Sequence, residues 1–150
     1  MAERQLELVA KWEKDKEDRL ARDFQLAQQH VEMNKQKLSS LERYRLDYLR
    51  QTQAKDAGAL NIDKFNKLQS FIGKLDKACQ QQMQVHNQAI LVAEQRKNLW
   101  LVQQRKRKAV EMLLEKKRQA REIRNNKIEQ QFMDELSTQR FIRKQRSTHN

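Results

Sequence analysis

Leu20, Phe24, Ala27, Val31, Asn34, Leu38, Leu41, Arg45 and Tyr48 follow one another at alternating spacings of four and three. That alternation is the heptad seam of a helix that meets another helix along a narrow apolar line. The pattern extends upstream through Ala10 and Leu6 but passes over Glu13 and Glu17, which predicts a loosely held N-terminal end. Further on, Gly58 is the one helix breaker outside a helical pattern, and Asn61 is a good N-cap for a helix opening at Ile62. The periodicity therefore predicts a first helix over about 4–53, a turn over 54–61 and a second helix over about 62–146.

A short connection makes two long helices antiparallel neighbours. The expected fold is all-α, a single antiparallel coiled-coil hairpin. Folding back about the turn sets Phe24 near Ile90 and Leu91, Leu41 near Leu75, and Tyr48 near Leu68. It also sets Asn34 beside Gln81 and Gln82, a polar layer of the kind that fixes register in a coiled coil at some cost in stability. In this register the first helix is exhausted near residue 110, and 111–145 projects with Val110, Leu114, Ile128 and Phe132 along it.

Around residue 70 the apolar arc widens. Phe65, Leu68, Ile72 and Cys79 form one stripe and Phe71, Leu75, Ala78 and Gln82 a second, rotated by roughly 80°. A two-stranded seam can bury only the first stripe, so an apolar arc this wide implies that the second is a contact surface for another protein. The bland alternative is that Phe71 folds over the seam edge. Gly73, between the stripes, weakens the helix by about 1 kcal/mol relative to alanine; close approach of another chain or simple tolerance accounts for it.

Composition agrees with this picture. Only 37% of the 150 residues are hydrophobic and 35% are charged, too little apolar surface for a sizeable globular core, yet the chain has no proline and is rich in Gln, Lys, Arg, Glu, Leu and Ala. The start lacks a signal-peptide run, and no stretch approaches the roughly 18 apolar residues of a membrane span. With one cysteine, Cys79, and so no internal disulfide, a cytosolic protein without membrane insertion is expected.

The net charge of +12 is unevenly placed: residues 1–95 carry 16 basic and 14 acidic side chains, residues 96–150 carry 16 and 6. Arg105, Lys106, Arg107 and Lys108, followed by Lys116, Lys117, Arg118, Arg121 and Arg124, could neutralise phosphates as a basic-region helix does on DNA. Glu111, Glu115 and Glu122 interrupt the run with oppositely charged partners three or four residues away, which reads more simply as a solvated helix. Nucleic-acid binding is accordingly the rival reading, not the leading one. No phosphate loop, nucleophile elbow or cysteine cluster is present, so no catalytic residue, cofactor or metal is expected. His30 and His86 approach each other across the seam, but two ligands without a third make a poor metal site.

Two heptad-bearing helices, a short turn, Phe71, Ile72, Leu75 and Ala78 soon after it, and a basic helical C-terminal half together resemble the FliJ family of flagellar type III export stalk proteins over essentially the whole chain. The resemblance implies a fold like the coiled-coil γ subunit of rotary ATP synthases, without catalysis of its own. It implies insertion into the flagellar export ATPase hexamer, binding to the export gate's cytoplasmic domain and escort of export chaperones. Its place would be the cytoplasmic face of the inner membrane at the flagellar base. The family's gate-binding stripe carries Phe, Leu, Ala and His; here these fall on Phe71, Leu75, Ala78 and Gln82, the last a departure. The ATPase ring would meet the basic residues Lys116, Lys117, Arg118, Arg121 and Arg124. The stalk of a virulence type III secretion system shares this architecture and stands as an alternative.

Overall fold

In a computed structural model, which describes residues 2–55 and 62–148 without the side chains of residues 54 and 55, two α-helices account for nearly every position. Helix α1 spans Glu3–Lys55 and α2 spans Ile62–Thr148. The expected turn loses its first two residues to α1; Gly58 and the cap at Asn61 lie outside the described residues. The all-α helical hairpin is what the heptads require. At the start of α1 the Ala2 N–H donates to Gln5 Oε1 at 3.3 Å, half of a capping box that occupies one of the free donors of the first turn. At the other extreme the hydroxyls of Ser147 and Thr148 donate to the Lys144 carbonyl at 2.9 and 3.0 Å.

The packing divides into two units, 16–103 and 1–15 with 104–150. In the first, the seam residues of α2 are Leu68, Ile72, Leu75, Cys79, Gln82, His86, Ala89, Ala93, Trp100 and Gln103, buried or half-buried at alternating steps of four and three apart from a gap at the exposed Arg96. Ile72, Leu75, Ala89 and Ala93 are buried. This corrects the division into two stripes: a two-stranded seam needs both rows of the heptad, and Leu75 and Gln82 supply the second row. Phe65, assigned to the seam, is instead largely exposed.

The register of this unit is fixed by three contacts. Gln82 Nε2 donates to both the carbonyl and Oδ1 of Asn34 at 3.0 Å, the expected polar layer. Tyr48 meets Phe71 edge-on with ring centroids 4.6 Å apart, one turn beyond Leu68. Phe24 stacks on Trp100 at 5.8 Å, beyond its expected partners, and lines a groove with Ile90 and Ala93. The small seam residues Ala89 and Ala93 leave room for the Phe24 ring, whereas Leu91 points outward and is 65% exposed. Arg45 pairs with Asp76 across the same side. A Cβ on Gly73 would meet open space, so nothing within the chain requires a glycine there.

Buried side-chain amides specify register more than they stabilise it. Replacing Asn34 and Gln82 together by leucine is expected to raise the melting temperature by several degrees while admitting other registers or oligomers, seen as extra species in sedimentation velocity. A double variant that melts below the parent would show that the layer is a stabilising contact instead.

In the second unit the N-terminal end is firmly held, contrary to expectation. Leu6 and Leu114 are both buried at 6% exposure. Arg121 pairs with Glu3 at 2.8 Å, and Arg118 lies 3.4 Å from Glu7 and 3.9 Å from Glu3. Coverage of α2 therefore reaches Arg121, not 110, and Leu114 belongs to the seam. The register brings the first turn of α1 this far because carboxylates at its start meet guanidinium groups one turn apart on α2. Beyond, every described side chain from 122 to 148 is exposed apart from the half-buried Leu136.

Candidate functional site

A helical hairpin has two flanks beside its seam, and the candidate surface lies on one of them near the described ends of α1 and α2. Phe71 sits at the seam edge, 41% exposed, with one ring edge against Tyr48. Seven residues on, Ala78 is half-buried on the same flank. Next to them Leu41, Tyr44, Met33 and Lys37 of α1 line a shallow groove closed on the α2 side by Gln82. Tyr44 is 60% exposed.

Of the four residues the resemblance places in the gate-binding stripe, the structure brings Phe71 and Ala78 to the surface. Leu75 is withdrawn into the seam, and Gln82 is spent on Asn34 while still bordering the groove. Phe71 folds over the seam edge onto Tyr48, as the bland alternative has it, and keeps an exposed face. The residues that sequence reasoning left out are Tyr44, which is off the seam, and Leu41 and Tyr48, which were assigned only to packing. Tyr44 and Tyr48, four apart on α1, were the available signal: two aromatic side chains on adjacent turns exceed what a narrow seam can bury.

The basic ladder is split in the same way. Lys116, Lys117 and Arg124 are exposed, whereas Arg118 and Arg121 are engaged by Glu3 and Glu7. Arg107 pairs with Glu111 at 2.8 Å, one of the intrahelical pairs anticipated within the run. These pairs cancel part of the positive field that a phosphate backbone would need.

His30 is exposed, and its carbonyl accepts from Asn34 Nδ2 at 2.9 Å, while His86 takes a seam position with Nδ1 buried and without a hydrogen-bond partner. Among the described residues no group of three His, Cys, Asp or Glu side chains is arranged to hold a metal ion, and no helix is long and apolar enough to cross a membrane. Buried polar residues at the seam, Glu17 and Gln103, are not without partners.

Comparison with known proteins gives one match. The family model described as flagellar FliJ protein covers residues 1–146. No curated protein and no solved structure matches the chain. A match over almost the whole length decides the family. The chain belongs to the FliJ family and is a protein associated with flagellar export.

Proposed function

We propose that this protein is the stalk of the flagellar type III export apparatus, promoting assembly of the export ATPase hexamer, coupling it to the export gate and escorting export chaperones. In this reading it works at the cytoplasmic face of the inner membrane at the flagellar base, and flagellum assembly, motility and chemotaxis depend on it. The observation that carries the reading is that each of the two units exposes a surface of its own chemistry, aromatic in one and mixed basic and apolar in the other. Phe71 and its aromatic neighbours suit a protein pocket, because large aromatic side chains at a seam edge are typical anchors of interfaces. The arm from 122 to 148 carries Ile123, Ile128, Phe132, Met133, Phe141 and Ile142 exposed among basic residues, a mixture that suits a sleeve of polar and apolar loops such as a ring lumen provides. Lys116, Lys117 and Arg124 border that arm and are the preferred ring contacts; Arg118 and Arg121 serve α1 first.

The gate surface in this reading comprises Phe71, Ala78 and Tyr44, with Leu41 and Gln82 lining the groove between them. Leu75 acts by holding the seam that presents them. Truncating Phe71 or Tyr44 to alanine is expected to weaken retention on the purified gate domain by about 2 kcal/mol, roughly thirtyfold, because central aromatic anchors carry most of such an interface. Melting should shift little, since neither ring is fully buried. Unchanged retention of both variants would remove the gate from this surface, and tight, salt-sensitive binding to one DNA sequence would instead favour the nucleic-acid reading.

A further inference from the structure

The flank that carries Phe71 and Ala78 does not end there. Continuing in steps of seven, α2 presents Val85, Val92 and Leu99 in the same row, 42%, 43% and 44% exposed. The row is an exposed aliphatic edge beside the seam. On α1 the facing row holds Met33, which lines the shallow groove closed by Gln82, and Leu26 seven residues before it. Met33 and Leu26 are 56% and 63% exposed. The Asn34–Gln82 and Phe24–Trp100 contacts fix the antiparallel register so that Met33 stands near the level of Val85 and Leu26 near that of Val92. Two parallel rows of aliphatic side chains at heptad spacing are the template on which a third helix packs in a three-helix arrangement.

Charge selects the occupant. From Phe71 to Val102 the outward rows of α2 on this flank hold lysine at 74 and 77 and otherwise Gln, Asn, Ala or apolar residues, with neither Asp nor Glu. On α1 between residues 19 and 48 the same flank carries Arg19, Arg22, Lys37 and Arg43 against Asp23 and, beside Arg43 and Tyr44, Asp47. The acidic residues of this stretch, Glu32, Glu42, Asp76 and Glu94, fall on the opposite flank, where Glu32 and Glu94 line the second groove. A second copy of this chain would set one basic rim against another, which opposes pairing of the two like flanks.

We infer that the face between Leu26 and Met33 of α1 and Val85, Val92 and Leu99 of α2 is a docking site for an acidic amphipathic helix of a partner protein, adjoining the Phe71 surface and sharing Met33 and Lys37 of its groove. The partner lays an apolar stripe of Leu, Ile or Val between the two rows and sets carboxylates against Arg19, Arg22, Lys37 and Lys77. Burying a row of aliphatic side chains supplies the affinity, and the rim charges supply orientation and a salt-sensitive association rate.

The probe for a test is a synthetic four-heptad helix with leucine on its seam positions and glutamate on the flanking ones, beside a twin with lysine flanks. The full-length protein is expected to bind the glutamate peptide in the micromolar range, measured by fluorescence anisotropy, and the lysine twin at least tenfold more weakly. Val92→Glu and Leu99→Glu should each weaken binding at least tenfold. Leu46→Glu, exposed on the other flank, should change it less than twofold. Thermal melting checks that each variant folds, with Val92→Gln as the milder substitute should Val92→Glu melt early.

Phe71→Ala should leave peptide binding intact, and Val92→Glu should leave gate retention intact, so failure of this inference is distinct from failure of the gate assignment. Equal binding of the two peptides, or binding indifferent to both Val92 variants, would overturn it. So would a parent dimer in sedimentation velocity that Val92→Glu dissociates, which would assign the face to a second copy of the chain.

Discussion

Leu75→Ala is expected to cost about 2 to 5 kcal/mol of folding stability, the range for truncating a buried aliphatic side chain, and so to lower the melting temperature by many degrees. Leu75 is 9% exposed and fills the second row of the seam between Ile72 and Cys79. Removing its three outer carbons leaves a gap that α1 cannot close without losing its neighbouring contacts, since the Asn34–Gln82 layer one heptad on pins the two helices. Ile72→Ala belongs to the same class, at 8% exposure. Phe71→Ala, one residue away, should cost far less, because its ring is half in solvent and loses mainly the edge contact with Tyr48, of the order of 1 kcal/mol. Urea denaturation of the three variants decides the matter. If Leu75→Ala unfolds with the parent while Phe71→Ala is strongly destabilised, the seam is held through Phe71 and not through Leu75.

The contrast shows where sequence reasoning reaches and where it stops. Spacings of four and three on α1 carried the hairpin, and the pairing of Asn34 with Gln82 followed from the turn alone, because a polar pair near the middle of a seam tolerates small errors of register. The assignment of Leu75 and Gln82 failed for a geometric reason. Ile72 and Leu75 are three residues apart, about 60° from each other around the helix at roughly 100° per residue, so both can face one partner. Apolar spacing gives the width of the arc but not which part a single neighbouring helix covers. At the N-terminal end the pattern reaches Leu6, but the interruption by Glu13 and Glu17 argues for a loose end, and nothing in α1 alone announces that Glu3 will find Arg121 across the hairpin. Phe24 was placed opposite Ile90 and Leu91 by counting; the stack on Trp100 depends on the room left by Ala89 and Ala93, a fact of packing rather than of pattern.

The corrected end of the hairpin sharpens the second large expected effect. A chain stopped after Arg121 keeps Leu114 in the seam and both arginine partners of Glu3, so it should fold and melt close to the full-length protein. It lacks only the arm whose exposed Ile128, Phe132 and Phe141 require a covering surface to account for them. On the stalk reading, stimulation of the export ATPase and of its hexamer assembly should fall to the level of the ATPase alone. A chain stopped after Met112 removes Leu114, Arg118 and Arg121 as well. Burial of Leu6 then has no counterpart, and although each exposed ion pair is worth only about 0.2 to 1 kcal/mol, the first three turns of α1 lose all of these contacts together. Amide exchange over residues 5–12 should therefore become fast in the shorter chain and stay slow in the longer one. Two results would count against this account: a chain ending at Arg121 that stimulates the ATPase as fully as the parent, which would free the arm of any role in the ring, or slow exchange at the start of α1 without Leu114 and the two arginines, which would show that α1 is held by other contacts.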